Sequence, residues 1–224
     1  MSHSSGGLKL AQWCLLASLA AAPACLAVEP RAKWDFAVLL DGRAIGTHRF
    51  ELAPAEGALR SLQSEARFEV KILGITAYRY RHRAEERWNG DCLASITAST
   101  DDDGDVIEVN GEDAGGRFEV NAMKGKQPSR VTTSGCLLTF AYWNPAQLAM
   151  QRQLLDQGTG RIEPVTITAM PASSIPVRGI LTVVTGLRIA GLRRPIDVWY
   201  TTGGNWVGLD TAVEGGRKLT YRLP

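Results

Sequence analysis

The stretch "YRYRHRAEERW", Tyr78 to Trp88, carries the residue types with the widest chemical reach in this sequence. Period-two alternation puts Tyr78, Tyr80, His82, Ala84 and Trp88 on one side and Arg79, Arg81, Arg83, Glu85 and Arg87 on the other. A histidine on such an inward aromatic face can act as a general base or bind a polar group of a ligand. The competing reading is a core imidazole satisfied by a tyrosine hydroxyl or a carbonyl. Asp197 and Asp210 are the carboxylates considered as partners of His82 in a hydrolase. The arginines alternate with Glu65, Glu69, Glu85 and Glu86, which reads as a solvated mixed-charge face.

Other motifs set limits. "TDDDGDVIEVNGE" places Asp101, Asp103, Asp105 and Glu112 at positions one, three, five and twelve of a calcium loop, but position six, which needs glycine, is Val106. A solvated β-turn fits it better. There is no H-E-x-x-H, paired C-x-x-C, G-x-S-x-G elbow or phosphate loop, so the sequence implies neither a metal nor a cofactor.

The N-terminal "LKLAQWCLLASLAAAPACLAVEP" has one lysine, an apolar run from Trp13 and small residues ending at Ala27. It reads as a secretory signal, residues 1–27, cleaved after Ala27, with a retained N-terminal anchor as the alternative; residues 28–224 are then one β-rich domain. Every basic residue except Lys9 lies beyond Ala27, leaving 24 basic against 23 acidic residues. That balance implies no general attraction to nucleic acid. His48 and His82 are the histidines beyond Ala27, too few for a three-histidine zinc site. Cys92 and Cys136 remain as an even pair, expected to form a disulfide in an oxidising compartment such as the periplasm or outside the cell.

The elements that must position these groups are mostly strands. "SLQSEARFEVKI" alternates as Tyr78–Trp88 does, and the two are expected to form an antiparallel hairpin or to lie as near neighbours. Asp41-Gly42, Asn89-Gly90, Gly115-Gly116, Gly203-Gly204 and Gly215-Gly216 supply turns of an antiparallel meander. Later strands are expected near Val165–Ala169, Ile180–Ile189, Pro195–Thr201, Trp206–Ala212 and Leu219–Leu223. One segment departs from this pattern. Asn144 is a good N-cap, Pro145 suits a first turn and Gly158 a stop, so a short helix is expected over Pro145–Asp156, either plugging the curled sheet or lying over its edge. Trp34, Trp88, Trp143, Trp199 and Trp206 suit either a core or a pocket wall.

"LLDGRAIGTHRFEL", "AYWNPAQL…LLDQGTG" and "PIDVWYTTGGNWVGLDTAVEGGRKLTYRL" together resemble a bacterial exported family of unknown function, domain of unknown function family 6134. The layout is also distantly similar to periplasmic lipoprotein-carrier-like half-barrels, and that likeness implies an apolar cavity. The fold class expected is therefore all-β, a curled antiparallel sheet or half-barrel with one short helix. The function expected is non-enzymatic binding of a lipid-like or other apolar molecule in the periplasm, with Tyr80, His82, Trp88 and Trp143 as cavity residues. An envelope interaction or structural protein with a filled core is the rival, and a hydrolase using His82 the third class.

Overall fold

The structure, a computed structural model, describes Met1 and residues 31–224; the expected signal segment and its cleavage point at Ala27 fall outside the described residues. Eight strands follow one another as a meander: β1 (Ala32–Leu40), β2 (Arg43–Leu52), β3 (Leu59–Ile72), β4 (Ile75–Asn89), β5 (Cys92–Asp102), β6 (Asp105–Asp113), β7 (Arg117–Lys124) and β8 (Gln127–Ser134). Five more complete the sheet: β12 (Thr166–Val177), β13 (Ile180–Ala190), β14 (Ile196–Thr201), β15 (Trp206–Ala212) and β16 (Lys218–Arg222). Strand β16 pairs with β1, Leu40 opposite Leu219, so the spatial order runs β12 to β16 and then β1 to β8 in one 13-stranded antiparallel sheet. Strands β8 and β12 are its edges, and the sheet does not close between them.

Turn chemistry fixes these joints. Asp41-Gly42 and Asp103-Gly104 hold positive φ at both positions, as tight hairpin turns demand. Alternation then decides which side chains face inward. Phe36, Phe50, Leu62, Ala84, Ile96, Val109, Val120, Ile189, Val198 and Leu209, from ten different strands, meet in one buried core, which requires the sheet to roll up on itself. Each large apolar side chain withdrawn from water contributes about 1.5–3 kcal/mol.

The segment between the two edge strands fills the roll. It contains β9 (Leu138–Thr139), α1 (Pro145–Leu148), β10 (Gln153–Leu155) and β11 (Ile162–Pro164). Strand β10 pairs in parallel with β9 and antiparallel with β11. Leu137, Leu138, Tyr142, Leu148, Leu154 and Leu155 all enter the main core, so the segment plugs the sheet instead of skirting its edge. The Tyr200 hydroxyl donates to the Tyr142 carbonyl at 3.0 Å and ties plug to wall.

The expected helix over Pro145–Asp156 needs correction, because α1 has four residues and stops at Leu148. The cap reads as anticipated, with Asn144 Oδ1 accepting from the Gln147 N–H at 3.2 Å. Beyond it, Leu154 and Leu155 are fully buried, and strand pairing to β9 and β11 satisfies their backbone in that dry setting. Gly158 does not end a helix; it lies in a turn closed by Asp156 N–H to Arg161 O at 2.8 Å. At Gly160, φ is +72° and an added Cβ would sit 2.6 Å from the Ala122 Cβ, so this close approach of plug to β7 requires glycine.

Candidate functional site

Following the meander, the β1–β2, β3–β4, β13–β14 and β15–β16 turns all lie at one end of the roll. A cleft of about 590 Å3 enters the interior there, with the β13–β14 and β15–β16 turns at its mouth. Strand β2 contributes His48 and Phe50, β4 Tyr80 and His82, and β16 Tyr221, two residues apart wherever a strand gives two, as alternation requires. The plug adds Tyr142 and Asp156. Trp206 organises the floor: its ring lies 4.5 Å from Phe36, 4.9 Å from Phe50 and 5.3 Å from Tyr142, centroid to centroid. Its Nε1 donates to the Gly208 carbonyl at 3.0 Å, so the indole presents only its apolar body to the cleft.

Both histidines are neutral at pH 7. Burial pushes His82 down to about 4, with the Asp156 charge opposing, and its Nδ1 lies 2.9 Å from the Thr100 hydroxyl. Burial holds His48 well below the usual imidazole range, and the neighbouring His82, 6.4 Å away ring to ring, adds to the effect. His48 Nδ1 is 3.4 Å from the Tyr221 hydroxyl, while its buried Nε2 has no hydrogen-bond partner among the described residues. The floor is thus aromatic and uncharged apart from Asp156, whose Oδ1 accepts from the Gly158 N–H at 2.9 Å.

Residues 36–224 match the family described as Domain of unknown function (DUF6134). The chain belongs to that family. The crystal structure of a beta-barrel-like protein of Domain of Unknown Function DUF1849 from Brucella abortus is similar, with a TM-score of 0.61 at 14% identity over 88% of this chain and 98% of that one. At that identity the likeness shows the fold alone. No curated protein matches the sequence.

In this DUF6134 chain the expected site residues separate into two places. Tyr80 and His82 line the cleft. Trp88 and Trp143 do not; they pack edge to face at 5.3 Å, outside the cleft lining. Trp88 lies three steps of the alternation beyond His82 along β4 and four beyond Tyr80, so it shares their face without sharing their depth in the roll. Asp197 and Asp210 belong to the outer side of β14 and β15. Asp197 takes both Arg188 bonds, at 2.7 and 2.8 Å, and Asp210 accepts from Arg222 at 2.6 Å and from the Trp199 indole at 3.0 Å. Of the carboxylates lining the cleft, Asp156 is the one whose charge acts on His82. Cys92 and Cys136 are joined, their Cα atoms 5.0 Å apart, which fastens the start of β5 to the start of the plug.

Glu86 also needs correction, from solvated face to core. It is 2% exposed, accepts from the Trp88 indole at 2.9 Å and from the Gln157 amide at 2.6 Å, and burial pushes its carboxyl up to about 7. Parity alone would have found it, since Glu86 stands between inward Ala84 and Trp88. Asp156 gave no comparable signal, because its position depends on the plug's path across the roll.

Proposed function

We propose that this DUF6134 chain is a periplasmic or secreted protein that holds a lipid-like or other apolar small molecule in the cleft. The cleft itself carries the reading. Its volume of about 590 Å3 lies within the ~300–1,000 Å3 usual for ligand sites, and its floor combines the aromatic surface of Phe50, Tyr142 and Trp206 with the polar groups of His48, His82 and Asp156. A packed β-core would leave only voids near the size of a water molecule. The Cys92–Cys136 disulfide and the signal-like N-terminus support an exported setting.

The test is native mass spectrometry of mature protein purified from the periplasm, followed by organic extraction. A stoichiometric adduct that is lost when the floor is altered by Leu209→Arg supports the reading. A clean apo mass that persists after incubation with envelope lipids overturns it.

The second reading, an envelope interaction protein, is favoured by one observation. Ile72, Leu73 and Ile75 form an apolar hairpin tip exposed at 61, 97 and 74%. In that case the cleft stays empty, and crosslinking through the tip recovers a defined partner.

A further inference from the structure

The mouth of the cleft has a chemistry its floor does not share. Apart from Asp156 on the floor, five charged residues line the cleft: Arg161, Arg193, Arg194, Glu163 and Glu214. Arg161 and Glu163 neutralise each other at 2.8 Å, and Asp156 is engaged by the Gly158 N–H on the plug side. Cations close by are also engaged. Arg188 on β13 is held by Asp197, and Arg217 in the facing turn by Asp41 at 2.8 Å. Arg193 and Arg194 differ: in the turn between β13 and β14 they are exposed at the rim and form no ion pair or side-chain hydrogen bond with the described residues. Pro195 follows them directly and stiffens the end of that turn.

Resting on the binding role proposed above, we infer that the cleft takes a single-chain amphiphile with an anionic head, the head between Arg193 and Arg194 and the tail over Phe50, Tyr142, Trp206 and Leu209. Two guanidinium groups from consecutive residues of one rim turn offer planar forks that match the oxygens of a carboxylate or phosphate, and charge-assisted bonds of this kind are the strong ones. The reverse orientation is worse. A head pushed to the floor meets the Asp156 charge and two neutral imidazoles, and it exchanges water for aromatic walls. Glu214 opposes an anion from the facing turn, but it is exposed and salt screens it.

The experiment is calorimetric titration of mature protein with dodecanoate, dodecyl phosphate and uncharged dodecanol, each below its aggregation limit. The proteins are wild type, the double variant Arg193→Gln/Arg194→Gln and Glu214→Gln. Both anionic probes should bind wild type at least about 10-fold more tightly than dodecanol. The double variant should lose that preference while keeping its dodecanol affinity and its melting temperature, and Glu214→Gln should widen the preference. The stronger of carboxylate and phosphate then identifies a free fatty acid or a phosphorylated single-chain lipid as the natural class. Equal binding of all three probes by wild type overturns the inference and leaves cleft binding intact. Failure of every probe to bind also overturns the inference, and the binding role itself is then decided by the native mass.

Discussion

Glu86 shows how a single buried carboxyl sets a pH response. Its unfolded value is near 4.5 and its folded value about 7, raised by burial against the opposing bonds from Gln157, Thr139 and Trp88. Between those values the native state keeps a proton that the unfolded chain has lost, so its contribution to stability falls as pH rises through the window. The complete loss is about 3 kcal/mol. His82 acts with the opposite sign: its folded value is depressed to about 4, so its contribution falls as pH drops from 6.5 toward 4, and buried His48 behaves likewise. Total stability therefore mixes the terms, and the comparison of wild type with Glu86→Gln isolates one. At pH 5 the variant should be the weaker protein, because an amide cannot accept from both the Trp88 indole and the Gln157 amide through two oxygens. By pH 8 the gap should shrink by about 3 kcal/mol. Urea unfolding at pH 5, 6, 7 and 8 measures it, and a gap that does not change with pH would sink the assignment.

The plug and the projecting hairpin are the elements on which function turns, and they were unequally legible. Strand faces followed from alternation because a half-buried strand writes its environment into every second residue. The plug carries no such record: Leu148, Leu154 and Leu155 fit a helix by type and roughly by spacing, and only burial against β9 and β11 makes strand the better choice for the last two. The disulfide holds this element in place. Cys92 and Cys136 are 44 residues apart, and closing a loop of that length restricts the unfolded chain by about 4 kcal/mol at most. Replacing both with serine should lower unfolding free energy by about 2–4 kcal/mol. Thiol titration of the unreduced, denatured wild type should find no free thiol, and finding two would contradict the link. The β3–β4 hairpin projects because β2 stops pairing at Phe68 and β5 at Tyr80, leaving the backbone of residues 69–78 paired only within the hairpin. At its tip Leu73 takes φ of 51°, a conformation that suits asparagine better than a branched apolar residue. Leu73→Asn should therefore leave the melting temperature unchanged or raise it slightly. If the tip meets a lipid or protein surface, the same change weakens that attachment in a vesicle or crosslinking assay; unaltered attachment removes the tip from consideration.

At the scale of the whole molecule, the cleft exists because a 13-stranded sheet rolls without closing and its plug fills one end more fully than the other. The aromatic cluster of Trp88 and Trp143 lies outside the cleft, while Trp206 forms the floor that remains open to ligand. Which tryptophan does which was not readable from residue type, since both uses bury the same indole surface. The regular glycine turns and the strand alternation made the rolled sheet legible, yet the depth of each residue along the roll depends on β16 pairing with β1 across the full sequence. If the cleft is a binding site, occupancy must stabilise the native state by mass action. At a free ligand concentration one hundred times its dissociation constant the gain is about 2.7 kcal/mol. For a domain of this size that corresponds to a rise in melting temperature of about 5–10 °C. Ala212, half-buried in the cleft lining beside the mouth, provides the control. Ala212→Trp narrows the entrance from a position where the ring can turn toward solvent, so the unliganded melting temperature should stay close to wild type while the ligand-induced rise shrinks to less than half. A full rise in the variant would place the ligand somewhere other than this cleft.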